Sequence, residues 1–169
     1  MDIPSAEIER ILALLAETPQ RMAFLTSGLD YTQLHTSPEQ DAWSVHTILA
    51  HLRACAEVWG KSILAMLAED KPALRYVSPR TWMRKTDYLE QEFHSSLQAF
   101  ANQRIDLLAS LSSLASQDWS RAATFTGTVK GREQTVFSYA QRIVDHELQH
   151  LDQIESMRWA GVRSQESGA

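Results

Sequence analysis

Apolar residues along this chain recur at intervals of three and four, and no segment alternates apolar and polar positions for long. That period belongs to helices burying one stripe, so the pattern predicts an all-α fold, a helical bundle. Four helices follow. The first covers residues 5–28, with Ile8, Ile11, Leu12 and Leu15 on one face. Thr18-Pro19 interrupts it, with Thr18 placed to cap a second helical piece. The second covers 44–68, with Ser44 as its N-cap just after Trp43. The third spans 80–115. The fourth spans 135–159 and stops before Gly161, a natural terminator.

The connections over 29–43, 69–79 and 116–132 exceed the tightest hairpin loops. The stretch Glu69 to Pro79, with Pro72 and Pro79, can carry the chain from one end of the bundle to the other. Such a crossover would let the second and third helices run parallel. Thr124 to Lys130, rich in Thr, Gly and Val, reads as a short extended excursion.

Composition narrows the class. The 169 residues, 44% apolar and 22% charged, fit one soluble domain over 1–169. No apolar run approaches the ~20 residues that cross a bilayer. The opening MDIPSAEIER lacks a basic region followed by an apolar stretch, so a cytoplasmic location is expected. The single cysteine, Cys55, excludes an intrachain disulfide and a thiolate-rich zinc cage. A formal charge of −5 with scattered basic residues argues against a nucleic-acid partner.

The candidate chemistry lies in the histidines. On the fourth helix, His146 and His150 are four residues apart, about 40° around the axis, and so stack one turn apart. They share a stripe with Val136, Tyr139, Ile143, Ile154 and Met157, which points both imidazoles inward. Such a pair can reach one ion through metal–nitrogen bonds of about 2.0–2.1 Å. A third ligand must come from elsewhere. His51 lies on the second helix's stripe of Ile48, His51, Cys55, Val58 and Ser62 and is the stronger candidate. His94, beside Phe93, stays open. His46, about 140° from His51, faces solvent or a neighbour, and His35 falls in a loop. Cys55, one turn beyond His51, is a weaker candidate for a fourth ligand, because free cysteine is commonly a small buried hydrophobe.

The segment Trp43-Ser44-Val45-His46-Thr47-Ile48-Leu49-Ala50-His51-Leu52 resembles the Trp-Ser…His-Leu signature that opens the second helix of the DinB-like family, which includes the YfiT-type metal-dependent hydrolases. The segment from Thr135 to Arg158, with His146, Glu147, His150, Leu151, Gln153 and Ile154, resembles that family's last-helix motif. The resemblance implies an up-down-down-up four-helix bundle with a three-histidine site formed by His51, His146 and His150. It also implies bound nickel or zinc, dimers, and in several members transferase or isomerase chemistry with a low-molecular-weight thiol.

His146 to His150 also match the His-Glu-x-x-His pattern of zinc peptidases, in which Glu147 would be the general base. No strand for docking a peptide is visible, and Glu155 and Glu166 are poorly placed as a downstream ligand. Glu147 stands about 100° from His146, at the edge of the site or on the surface. Tyr139, two turns before His146, is either a pocket donor or a core aromatic. The five tryptophans read as packing at helix ends and in the core, with Trp82 and Tyr88 open as a pocket border near the start of the third helix. The expectation is therefore a divalent-metal protein acting on a small molecule, as a hydrolase or a thiol S-transferase. The alternative is a bundle in which the ion merely staples helices together.

Overall fold

The computed structural model describes residues 3–127 and 132–166, with side chains through residue 158. Four long helices dominate it: α1 (Ser5–Thr26), α3 (Val45–Ala68), α5 (Phe93–Ser112) and α6 (Val136–Glu166). Short helices α2 (Tyr31–His35) and α4 (Pro79–Met83) lie in the connections. Strands β1 (Ala73–Arg75), β2 (Ala122–Thr126) and β3 (Arg132–Thr135) form a small sheet, with β1 parallel and β3 antiparallel to β2. The extended excursion expected from Thr124 is thus present as far as Thr126, whereas residues 128–130 lie outside the described residues.

Three boundaries differ from the sequence reading. α1 runs through Pro19 without interruption. A proline there costs about 3 kcal/mol, but Leu15 and Met22 on either side are fully buried and hold the helix by packing. The expected third helix is two pieces: α4 ends at Met83, and α5 starts at Phe93 behind Glu92, whose carboxylate accepts from the amides of His94 and Ser95 at 2.9 and 2.8 Å. α6 continues past Gly161 to Glu166, since a glycine inside a helix costs only about 1 kcal/mol and does not force a stop. α3 begins as expected, with Ser44 Oγ accepting from Thr47 N–H at 3.2 Å.

Each long helix packs on two others: α1 on α5 and α6, and α3 on α5 and α6. Cross-links fix the directions. Arg10 bonds Gln141 and Arg21 bonds Asp152 and Glu155, so α1 and α6 run parallel. One core layer gathers Ile11 and Leu15 with Ile63, Leu107, Leu111, Tyr139 and Ile143; the other gathers Met22, Leu49, Phe100, Leu151 and Ile154. Along α3 and α5 the layers therefore succeed each other in the same order, so these helices are parallel, and the path is up-down-down-up. The chain from Glu69 to Glu92 supplies the required crossover as a strap along α3. Met83 packs on Ala50 and Ala54, while Trp82 Nε1 and Tyr88 Oη both donate to Glu57, at 2.8 and 2.6 Å. Among the described residues, no helix is long and apolar enough to cross a membrane.

Between the two apolar layers lies a polar one. Thr18 of α1, His51 of α3, Arg104 of α5 and Glu147 of α6 are all buried at this level, one from each long helix. The candidate site is the edge of that layer.

Candidate metal centre

Because α3 and α6 run antiparallel, His51, two turns into α3, meets His146 in the middle of α6. Their Nε2 atoms are 3.1 Å apart. His150, one turn further along α6, stacks on His146 with ring centroids 4.6 Å apart, and lies edge-on to His51 at 5.3 Å. Cys55, one turn beyond His51, brings Sγ to 3.5 Å from His51 Nε2 and 3.9 Å from His146 Nε2. His51, Cys55 and His146 each offer a ligand atom within 4.8 Å of the other two, a grouping that can hold a metal ion. The structure thus brings His51 and His146 together, lays the His150 ring against both, and sets Cys55 closer in than the residue pattern suggested. His94 is elsewhere, exposed at the start of α5 and edge-on to Phe93. His46 is buried and donates from Nε2 to Leu89 C=O at 3.0 Å. His35 is helical rather than in a loop, bonded through Nδ1 to Tyr31 C=O at 2.8 Å.

The electrostatics favour ligation. Burial pushes His51 down to about 3, helped by His150, His146 and Arg80. Burial also pushes His146 down to about 4, helped by His150, Arg142 and Arg80. His150 is lowered by burial and by Arg80, against the pull of Gln153. All three rings are therefore neutral near pH 7, the form in which imidazole binds metals. Two neutral imidazoles facing each other through Nε2 share at most one N–H, so the closely opposed nitrogens suit a common cation. His150 Nδ1 is 3.0 Å from Gln153 Oε1; donation there leaves Nε2 with its lone pair. His146 Nδ1 is buried without a partner among the described residues, and that ring is held by stacking on His150 and Trp59 instead. Burial, then Glu147, drives the Cys55 thiol upward, so the sulfur becomes a thiolate only with a cation beside it.

The three histidines, without Cys55, form one wall of an open cavity of about 580 Å³, completed by Trp59, Tyr76, Ser78, Pro79, Arg80, Gln149 and Gln153. Trp43 covers the rings from the α2–α3 connection, 4.8 Å from His51 and 6.1 Å from His150. Tyr139 does not border this cavity. It is 2% exposed, stacked on Phe125 at 4.9 Å, and lines an adjoining apolar cleft of about 230 Å³ with Trp59, Tyr76 and Trp82. Of the pocket pair considered from sequence, Trp82 thus borders a cleft, while Tyr88 ties down the strap. Burial raises the Tyr139 phenol to about 12, so it is neutral.

Glu147 corrects the expectation of an edge or surface charge. It is 1% exposed and ion-paired with Arg104, itself 2% exposed, across the bundle interior. Burial pushes this carboxyl up, with Arg104 and Thr18 pulling it back. It is absent from the cavity wall, where a peptidase would need its base. The residue pattern does not mark Arg80 or Tyr76 as site residues, since Tyr76 lies in a connection and Arg80 opens what reads as the third helix, off any core stripe; Trp43 reads there as part of the helix-opening signature and as packing, not as a cover for the rings.

A four-helix bundle with parallel α1/α6 and α3/α5 pairs, and imidazoles from α3 and α6 gathered beside a cavity, defines a class of helical bundle with a candidate metal site. The sequence profile of the DinB superfamily matches residues 14–154, a span that holds His51, Cys55, His146 and His150, and the chain belongs to that family. Among solved structures, it is similar to YfiT from Bacillus subtilis, described as a probable metal-dependent hydrolase with an unusual four-helix bundle topology. The match has a TM-score of 0.84 at 21% identity and covers 94% of this chain and 90% of that one, a likeness of fold. No curated protein matches the sequence.

Proposed function

We propose that this chain is a metal-dependent enzyme acting on a small molecule, as a hydrolase or a low-molecular-weight-thiol S-transferase. His51, His146 and His150 hold the ion, with Cys55 beside them. The observation that carries this reading is the 3.1 Å approach of His51 Nε2 and His146 Nε2 on the wall of an open cavity. Structural metal sites are closed by protein ligands on every side, whereas catalytic ones keep a position open. A divalent ion, zinc or nickel if this chain follows what the family resemblance implies, would supply Lewis acidity that makes a water or thiol a nucleophile near neutral pH. The protein's part is to keep the imidazoles unprotonated by burial, to fix His150 through Gln153, and to wall the substrate between Trp59, Tyr76 and the strap. Among the described residues no Asp or Glu lines the cavity, so proton removal does not fall to a carboxylate of its wall.

The test is turnover of an ester panel, and of a thiol paired with an electrophile panel, by protein as purified, stripped by chelator, and reloaded. Activity that disappears on stripping and returns on reloading supports the enzyme. A metal-dependent rise in Tm with no turnover in any panel supports the staple instead.

A further inference from the structure

The cavity beside the histidines has a one-sided charge. With the imidazoles neutral, Arg80 is the charged residue on its wall, and among the described residues no Asp or Glu lines it. Arg80 makes no ion pair among the described side chains; its guanidinium lies over the Trp43 ring, 5.0 Å from the centroid. The strap fixes its backbone, because Ser78 caps α4 and Trp82, two residues on, is bonded to Glu57. An exposed planar guanidinium with no carboxylate partner among the described side chains, steadied by the Trp43 ring and presented by a pinned segment, suits bidentate capture of a carboxylate. A cation held by the imidazoles would add to the same positive field.

The adjoining cleft supplies the other half of the ligand. It shares Trp59 and Tyr76 with the cavity and continues over Leu74, Ala65, Phe125 and Tyr139; Arg75 and Lys61, the latter paired with Glu57, also line it. Its volume, about 230 Å³, exceeds the ~150 Å³ in which a benzene ring fits.

We infer that this site takes a small organic acid, its carboxylate on Arg80 and an aromatic or branched apolar group in the cleft behind Trp59 and Tyr76. The inference rests on the proposed reading that this cavity is the substrate site, and it names the substrate class.

The probe is 3-phenylpropanoate, with the neutral 3-phenylpropanamide as its match in shape, titrated calorimetrically into protein as purified. Metal content is measured on the same samples. The acid binds and the amide binds at least about tenfold more weakly; Arg80→Gln removes that difference while metal content and Tm stay unchanged. Ala65→Phe, which fills the cleft, weakens the acid several-fold without loss of metal. No binding of the acid at millimolar concentration overturns the inference, as does an acid preference that survives in Arg80→Gln. Metal-loaded protein without the preference defeats this inference alone. Metal-free protein that keeps the Arg80-dependent preference defeats the metal reading alone.

Discussion

Cys55 is the side chain whose chemistry depends most on what stands beside it. With its thiol driven up by burial, it is inert alone, yet its sulfur lies within 4.0 Å of two imidazoles. Loading the protein with cobalt is expected to give a sulfur-to-metal charge-transfer band in the near ultraviolet, absent in Cys55→Ser; a spectrum unchanged by that substitution removes sulfur from the ligand set. Arg104 and Glu147 pose the opposite case, a charge pair with no exit to water. Removing one partner leaves a buried charge, so Arg104→Met should cost about 3–5 kcal/mol in urea unfolding, and Arg104→Met with Glu147→Leu should recover most of it. A single variant as stable as the parent would contradict the buried pair. The histidine spacing was legible in the sequence because both partners share one helix and one stripe. Glu147 was not, because its helical angle says only that it stands off the histidine face, while its partner is on α5. A signal did exist: Arg104 interrupts the stripe Phe93, Ser96, Phe100, Leu107, Leu111, all buried, and a charge on a buried stripe demands a counter-charge.

The decisive element is the strap from Glu69 to Glu92. It reverses the ordinary hairpin order, makes α3 and α5 parallel, and contributes Tyr76, Ser78, Pro79 and Arg80 to the cavity wall. Its anchor is Glu57, which accepts from Trp82, Tyr88 and Lys61. Glu57→Ala is expected to destabilise the protein by about 1–2 kcal/mol, since it strands two half-buried donors, and to speed hydrogen exchange in 78–90 ahead of α3. Equal protection in parent and variant would show that the anchor lies elsewhere. The crossover itself was foreseeable from Pro72 and Pro79 and from the length of the connection. Its extent was not: Trp82, Met83 and Tyr88 look like the start of an amphipathic helix, but they are apolar because they pack on Ala50 and Ala54 of α3, and periodicity cannot distinguish the two.

At the scale of the whole molecule, the mid-level polar layer divides the core into two apolar halves and sets how stability responds to acid. His51 and His146 have folded-state values of about 3 and about 4, below the ordinary 6.5. Between 6.5 and 4 the unfolded chain takes up protons that the folded chain refuses, so stability is full above 6.5 and falls as pH drops. Glu147, raised by burial, carries the opposite sign. Replacing both His51 and His146 by Ala should therefore flatten the acid-side slope relative to the parent; an unchanged slope would mean the rings are not held neutral by burial. The fold class was readable at this scale because four long stripes of one period leave few ways to bury them, whereas the three-stranded sheet, built from strands of three to five residues, is too short for alternation to register. The account as a whole turns on a shared cation, so the most direct measurement is elemental analysis of protein purified without metal-chelating resin, before and after His51→Ala. One divalent ion per chain in the parent and near-complete loss in a folded variant are the predicted results. A metal-free parent, or a variant that keeps its ion in full, would contradict it.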